Sequence, residues 1–301
     1  MQTTKKTALV TSKAVDILLL IVLSTLWGAS YTFIRVGVET IPPVTLIAAR
    51  TLIAGLLLIV WMSVSGVAMP GSWVIWKRLF VQAFLNSVIP FTLIAWAEQY
   101  VEAGVATILN STAPVFVFFV TWFLTKHEAV TTRKLVGVIA GLLGICLIIG
   151  FSALNGLGDQ VLPQLAIVAA TICYAGAAIY GRSFQGLSPL VPAAGSLIAG
   201  AIVLIPISLI FDRPWALQPS FNSTAALLLL SVFSTAIAFV IYFRLVQTLG
   251  SVGTTSQAYL RVPIGVAIGA IFLGESLSPT IWMGLGCVVI GVATMTIPAR
   301  K

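Results

Sequence analysis

Two arginines lie inside long apolar stretches of the sequence, where a charged side chain needs a defined partner. Arg50 lies in the run LIAARTLIAGLLL, and Arg261 lies in QAYLRVPIGVAIG. An arginine near the middle of a bilayer costs about 2.5–3.5 kcal/mol on insertion scales, so each should face a water-filled cavity or a polar partner. A guanidinium group also matches a carboxylate through two parallel hydrogen bonds. Both residues are therefore candidates for a site that binds an anion or a carboxylate.

An alternative interpretation of the two arginines needs no ligand. Each could donate to backbone carbonyls freed by a helix break, and Arg50, which lies nearer one end of its apolar stretch, could extend to the membrane surface. No acidic residue lies deep in any apolar stretch, so an internal salt bridge is a poor explanation.

Polar residues recur with helical spacing in two apolar stretches. The first stripe consists of Thr107, Asn110, Ser111 and Pro114, and the second of Thr254, Gln257 and Arg261, with Tyr259 beside it. Spacings of three, four and seven residues place side chains on one face of a helix. Each stripe therefore predicts one polar helix face in the candidate site. The first contributes Asn110 and Ser111 as substrate contacts, and the second contributes Gln257 and Tyr259 beside Arg261.

Asn86 and four aromatic residues in other apolar stretches could complete the wall of a cavity. The aromatic residues are Trp27, Tyr31, Tyr174 and Tyr242. Aromatic side chains in membrane spans more often face lipid or the interface. We nevertheless predict all five as substrate contacts, because they accompany the polar stripes.

Composition indicates that the solvent of this chain is a bilayer. Of its 301 residues, 59% are hydrophobic and only 8% are charged, whereas a soluble domain has roughly 25% charged residues. A transmembrane helix needs about 20 apolar residues. On that basis we predict an all-α membrane protein with ten spans, at about 16–38, 42–65, 77–98, 101–124, 133–151, 162–183, 188–211, 223–248, 252–273 and 279–297.

The second half of the chain repeats the first. Gly104 matches Gly253, and Pro114 matches Pro263, both at an offset of 149 residues. The runs TLIAG at 51–55 and SLIAG at 196–200 match at an offset of 145 residues. With five spans in each half, the second half enters the membrane inverted, an architecture common in secondary transporters. We predict repeats at 1–151 and 152–301 around a central cavity.

The matching prolines and the diverged stripes both point to that cavity. A proline inside a helix removes a hydrogen bond and kinks the helix, and interrupted helices at equivalent places mark binding sites in transporters. We predict Pro114 and Pro263 as hinges, the alternative being a static kink. Gln257 aligns with Ile108, so the polar stripes do not superpose, as the binding of one asymmetric molecule requires.

Basic residues alternate along the loops and predict the orientation. With the N-terminus inside, twelve Lys and Arg residues fall on the cytoplasmic side, and only Arg35 and Arg213 fall outside. This bias follows the positive-inside rule and predicts an inner-membrane protein with both termini in the cytoplasm. The net charge of +8 therefore indicates topology and no nucleic-acid partner.

The sequence contains no pattern of an enzyme, a metal centre or a cofactor site. It has no phosphate loop, dinucleotide fingerprint or zinc-protease motif. Cys146, Cys173 and Cys287 lack metal-type spacing and are predicted to be packing residues. The single histidine, His127, is predicted as a loop residue rather than a proton carrier.

Small residues are frequent in the fifth and tenth spans, with Gly137, Gly141 and Gly144 in the fifth and Gly284 and Gly291 in the tenth. Small residues let helix backbones approach closely. Two interpretations remain open, a homodimer through these spans or packing within one protomer.

Several runs resemble the EamA family of the drug/metabolite transporter superfamily. They are LWGASYTFIRVG at 26–37, RTLIAGLLL at 50–58 and FLGESLSPTIWMGLGCVVIGV at 272–292, with a weaker copy, FLTKHEAVTTRKLVGVIAGLLGI, at 123–145. The resemblance implies ten helices in two inverted repeats, with the fifth and tenth at the periphery. The whole chain is also similar to YddG-type exporters of aromatic and other neutral amino acids.

The residues and the resemblance together predict an exporter of amino acids or related metabolites that works by alternating access without a cofactor. Four alternatives remain: a nucleotide-sugar or phosphate-ester antiporter, a multidrug exporter of cations, a non-transporting scaffold and an importer of the same fold. Energy coupling is open between facilitated diffusion and proton exchange through an edge group such as Glu98 or Glu128.

Overall fold

The computed structural model describes residues 2–101, 109–125, 131–149, 160–272 and 279–296, and within them every regular element is a helix. The helices of the first half are α1 (Gln2–Gly37), α2 (Pro43–Val64), α3 (Trp73–Ala83), α4 (Ile89–Ala97), α5 (Ala113–Val120) and α6 (Thr132–Ile149). Those of the second half are α7 (Val161–Tyr180), α8 (Leu190–Phe211), α9 (Phe221–Ser231), α10 (Ala238–Thr248), α11 (Gly250–Thr255), α12 (Gln257–Phe272) and α13 (Pro279–Thr296).

Seven described helices are long and apolar enough to cross a membrane. They are Lys13–Gly37, Pro43–Val64, Trp73–Ala97, Val161–Phe184, Leu190–Phe211, Phe221–Thr248 and Pro279–Thr296. They correspond to the first, second, third, sixth, seventh, eighth and tenth predicted spans. Helices α5, α6, α11 and α12 lie in the other three, and the total of ten spans stays a prediction. Thr107 and His127 lie outside the described residues.

The third and eighth spans are interrupted at matching places by a turn of π-helix. Phe84–Val88 separates α3 from α4, and Val232–Ile237 separates α9 from α10. The two segments begin 148 residues apart, in agreement with the offset of the sequence repeat. A π-turn leaves main-chain groups out of the regular i to i−4 ladder, and such turns occur frequently at functional sites.

Equivalent helices of the two halves pack against each other. Helix α2 packs on α8, and α6 packs on α13. A Cβ atom added to Gly137 would lie 2.8 Å from the carbonyl oxygen of Gly291, and one added to Gly144 would lie 2.7 Å from that of Gly284. The glycine faces of the fifth and tenth spans are therefore in contact within one protomer. This packing accounts for the glycines without a second copy, and the homodimer stays a prediction.

The distribution of polar and apolar side chains is that of a protein surrounded by lipid. Val60, Val64 and Phe211 are among the exposed large apolar residues, whereas Arg50, Asn86 and other polar residues are buried. Apolar side chains gain nothing by leaving a lipid environment, but polar ones need partners inside the protein. The polar interior is where the candidate site lies.

Candidate functional site

Nine of the eleven residues predicted to contact a substrate line one cavity between the two halves. They are Trp27, Tyr31, Arg50, Asn86, Asn110, Tyr174, Tyr242, Gln257 and Arg261. The cavity volume is about 50 Å³. Since about 10–15 Å³ on this scale holds one water molecule, the described conformation has room for only a few. Among the described lining residues there is no Asp or Glu.

Arg261 is held in the cavity by contacts from both halves of the chain. Its Nε atom donates to Gln257 Oε1 at 2.8 Å, and its Nη1 atom donates to the hydroxyl of Tyr31 at 3.0 Å. Its guanidinium carbon also lies 5.5 Å from the ring centroid of Trp27. Gly28 lies beside the side chain, and a Cβ atom there would be in ordinary van der Waals contact with Arg261 Cβ, at 3.8 Å. The guanidinium group is thus oriented but only half-buried.

The hydroxyl of Tyr31 is the centre of a hydrogen-bond network across four spans. It accepts from Asn110 Nδ2 as well as from Arg261. Thr171 on α7 donates to Asn110 Oδ1 at 3.3 Å. The network therefore ties α1 and α7 to the segment before α5 and to α12, and each of these elements contributes to the cavity wall.

Arg50 is fixed by the π-turn between α9 and α10. Its Nε atom donates to Thr235 Oγ1 at 2.6 Å, and its Nη2 atom reaches the main-chain carbonyl of Ser234 at 3.4 Å. The guanidinium carbon lies 3.7 Å from the ring centroid of Phe91. Of the two sequence interpretations, donation to a helix break describes these contacts, although Arg50 also lines the cavity.

The carbonyl of Ser234 accepts from two cavity residues. Trp27 Nε1 donates to it at 3.1 Å, in addition to Arg50. A carbonyl in a regular helix is already the acceptor for the N–H four residues later, whereas the π-turn shifts that pairing. The turn therefore provides an anchoring point for one aromatic and one cationic side chain. Its composition, VFSTAI, carries no sequence signal for this feature.

Two buried polar atoms of the cavity wall have no hydrogen-bond partner among the described residues. They are Asn86 Nδ2, on the first π-turn, and the hydroxyl of Tyr242, on α10. Buried polar groups are nearly always paired, so an unpaired donor in a cavity wall is a suitable contact for a ligand. Asn86 and Tyr242 therefore stay predicted substrate contacts, and their unpaired polar atoms support that prediction.

Tyr259 and Ser111 lie outside the cavity. Tyr259 is fully buried, donates to the carbonyl of Val138 at 3.0 Å and packs against Gly141 on α6. Successive helical residues turn by about 100°, so a position two residues before Arg261 points away from the face of Arg261. Ser111 is buried in a turn before α5 and is absent from the cavity wall. The structure therefore corrects the placement of both residues.

The two matching prolines occupy different helix environments. Pro114 lies in the first turn of α5, after a turn at Ser111 and Thr112, whereas Pro263 lies inside α12. Proline is well suited to a first helical turn, where its missing N–H would have no partner. Only Pro263 therefore interrupts a continuous helix, and the hinge role of both prolines stays a prediction.

Glu98 is a buried acid that sequence analysis assigned only to the edge of the third span. It follows α4, is 5% exposed, and neither carboxylate oxygen has a hydrogen-bond partner among the described residues. Arg35 Nη1 donates to its main-chain carbonyl at 2.9 Å. Burial raises the pKa of Glu98 to about 8, against the opposing effect of the charges on Arg50 and Arg35.

An ion pair ties α1 to α10 near the start of the apolar part of α1, Lys13–Gly37. Arg244 Nε lies 3.6 Å from Asp16 Oδ1, and the Asp16 side chain is 5% exposed. Asp16 and Arg35 are 19 residues apart, or about 28 Å along a helix. The apolar part of α1 is therefore held by polar contacts near both of its ends, with the cavity between them.

Comparison with known proteins identifies the class to which this fold and cavity belong. The EamA-like transporter family matches the chain twice, at residues 15–150 and 162–297. The chain therefore belongs to the EamA-like transporter family. A multi-pass membrane transporter is also what the seven apolar helices and the polar cavity between the halves indicate.

Individual relatives are moderately similar over nearly the whole chain. The uncharacterized inner membrane transporter YedA of Escherichia coli is 28% identical over 274 residues, which cover 90% of this chain and 87% of YedA. Protein PecM of Dickeya dadantii is 24% identical over 84% of this chain and 82% of its own. A solved crystal structure shares the fold with a TM-score of 0.75 and 18% identity, covering 97% of this chain and 99% of its own.

Proposed function

We propose that this protein is a secondary transporter that exports amino acids and related carboxylate-bearing metabolites across the inner membrane. The observation that carries the proposal is the placement of Arg261, half-buried in a cavity between the halves and oriented by Tyr31 and Gln257. A guanidinium group has five N–H donors, more than these two contacts use. The remaining donors suit the two oxygens of a carboxylate.

The charge of the cavity supports selection of an anionic group. Arg50 and Arg261 both line it, and no Asp or Glu is among its described lining residues. A cation would meet two guanidinium groups without a counter-ion, whereas a carboxylate would neutralise one of the two positive charges. Several phosphate charges would need more cationic groups than these two.

The aromatic wall supports a broad choice of side chains. Trp27 and Tyr242 lie with ring centroids 5.4 Å apart, and Phe91 and Tyr174 lie 6.4 Å apart. Flat apolar surfaces contact neutral or aromatic side chains without demanding a particular hydrogen-bond pattern. We therefore expect loose specificity for the side chain and a stricter requirement for the carboxylate.

The size of the cavity supports transport by alternating access. A volume of about 50 Å³ is too small for an aromatic amino acid, so substrate entry requires the helices to separate. The contacts of Asp16 with Arg244 and of Arg35 with Glu98 are candidates for closing the cavity towards the two sides of the membrane. Rocking of the halves about a central site is the usual mechanism of inverted-repeat transporters. Inner-membrane placement agrees with the name of the relative YedA.

Counterflow in liposomes tests the proposal. Vesicles containing the purified protein are preloaded with an unlabelled amino acid and assayed for uptake of labelled methionine, threonine or tryptophan. We expect exchange by the wild type, and loss of at least about tenfold in affinity for Arg261→Ala, the scale of a hydrogen bond to a charged group. Gln257→Ala should have a smaller effect.

Tyr259→Phe is the matched control, because Tyr259 lies on the same helix but faces α6. It should leave the apparent affinity unchanged. Absence of exchange for every amino acid, with the protein folded, would sink the amino-acid proposal. Equal losses in Arg261→Ala and Tyr259→Phe would show that the arginine acts through helix packing rather than by binding a carboxylate.

A further inference from the structure

Glu98 is a buried carboxyl group that the proposed substrate site does not use. It is 5% exposed and is not part of the cavity wall. Neither of its oxygens has a hydrogen-bond partner among the described residues. An ionised carboxylate that is buried requires donors or a close cation. Without donors, the carboxyl group is in the environment that favours its protonated form.

The groups that act on Glu98 come from the helices packed around it. Helix α1 contributes Arg35, whose Nη1 atom is bonded to the main-chain carbonyl of Glu98, and Tyr31. Helix α2 contributes Arg50. Helix α7, which also packs on α4, has Tyr174 at the cavity wall and no charged residue between Val161 and Tyr180.

These surroundings place two opposing influences on the carboxyl group. Burial disfavours the ionised form, and the two positive charges of Arg35 and Arg50 favour it. The result is a pKa of about 8 for Glu98, with burial the larger influence. Burial therefore outweighs the two arginine charges in the described conformation, and water that reached the carboxyl group would favour its ionised form.

Glu98 is placed where opening of the cavity would bring such water. Ile94 lines the cavity one helical turn before Glu98, and Ile34 lines it from the position next to Arg35. The contact from Arg35 to the Glu98 main chain thus lies just beyond the apolar end of the cavity. Separation of α1 from α4 at this end would break the contact and expose the carboxyl group to solvent.

We propose that Glu98 is a proton-binding site that reports and controls the opening of this end of the cavity. In the closed state the carboxyl group is protonated. On opening, its O–H bond breaks, the electron pair stays on the carboxylate oxygen and the proton passes to water. High pH on that side favours the open state, and low pH favours the closed state. The proposal does not depend on which substrate the cavity binds.

Infrared titration of the protein in lipid vesicles tests the site without a substrate. The absorption of protonated carboxyl groups is followed from pH 5 to pH 10, a range of about three units below and two above the pKa. We expect one carboxyl group in the wild type to titrate near pH 8 and to be absent in Glu98→Gln. Glu39→Gln is the control, because Glu39 is exposed in the loop after α1 and should leave that step in place.

If Glu98→Gln does not fold, the same infrared titration of Arg35→Gln tests the proposal instead. Removing a positive charge that favours the ionised form should move the titration to higher pH. The proposal is overturned if no carboxyl group titrates above about pH 6, well above the ordinary glutamate value of about 4.3. It is also overturned if the high-pH step survives in Glu98→Gln.

Counterflow then links the proton to the conformational cycle. The rate of exchange should change with external pH near the same midpoint in the wild type and become independent of pH there in Glu98→Gln. If no substrate is exchanged at all, the infrared titration still decides whether the proton site exists. Failure of the proposed function and failure of this inference are thereby distinguishable. A titrating Glu98 with pH-independent exchange would refute the control of opening.

Discussion

Arg261 Nη1 donates to the hydroxyl of Tyr31 at 3.0 Å, and this bond joins the ninth predicted span to the first. Arg261 belongs to the second half of the chain, and Tyr31 to the first. Because Tyr31 also accepts from Asn110, its hydroxyl fixes the position of the guanidinium group relative to three elements. Any rocking of the halves must either carry this bond along or break it.

The bond predicts coupling between the two residues in substrate affinity. Tyr31→Phe should weaken the apparent affinity for a carboxylate substrate by about tenfold, because a hydrogen bond to a charged group contributes about 1.5–3 kcal/mol. In the background of Arg261→Ala the same change should have almost no further effect. The measurement is the half-saturating concentration in counterflow, and strictly additive losses would contradict the prediction.

The contact between Arg50 and Thr235 predicts a difference between two near-isosteric changes. Thr235→Val leaves Arg50 Nε without its acceptor at a site where Arg50 is 2% exposed. We expect a loss of about 1–3 kcal/mol in unfolding free energy, the cost of an unpaired buried polar group. Thr235→Ser retains the hydroxyl and should lose less. Thermal unfolding in detergent compares the two, and equal stability of both variants would count against the contact.

The close approach of α6 to α12 predicts a strong effect of one added methyl group. A Cβ atom at Gly141 would overlap the ring of Tyr259, so Gly141→Ala should destabilise the protein by about 1–3 kcal/mol, as overpacking does. Gly286→Ala, on α13, is the control, since no atom lies within 4 Å of its added Cβ. Detergent melting curves measure both, and equal melting temperatures would refute the described packing.

The ion pair between Asp16 and Arg244 predicts faster exchange when it is removed. Because it ties α1 to α10 at the end opposite Glu98, Asp16→Asn should ease opening there and raise the initial counterflow rate severalfold. The paired exchange Asp16→Arg with Arg244→Asp should restore the wild-type rate. Unchanged rates in Asp16→Asn would show that this contact does not limit opening.

Most of the fold follows from the sequence because the bilayer imposes a simple rule. Apolar runs of about 20 residues must form helices, and seven of the predicted spans are confirmed as long apolar helices. The repeat was likewise visible in residue identities, and the family matches the chain in two segments. Orientation and the inversion of the second half depend on a membrane and stay predictions.

The cavity was predicted in part, because polar residues inside apolar runs are rare and must converge. Tyr259 was misplaced because nearness in sequence was taken as nearness in space, although it points to α6. The burial of Glu98 was underestimated, because an acidic residue at the end of an apolar run resembles a surface residue. Its burial depends on Arg35 and the neighbouring helices, which no local pattern records.

The matched π-turns carry information about the history of the chain. A π-turn is wider than an α-helical turn, with hydrogen bonds over five residues, and the two here begin 148 residues apart, in step with the repeat. One origin that preceded duplication of the half explains both turns more simply than two separate origins. On that history the ancestral half already had the turn. At equivalent positions on the two turns, Asn86 now presents an unpaired side-chain amide, and Ser234 presents a main-chain carbonyl that accepts from Trp27 and Arg50.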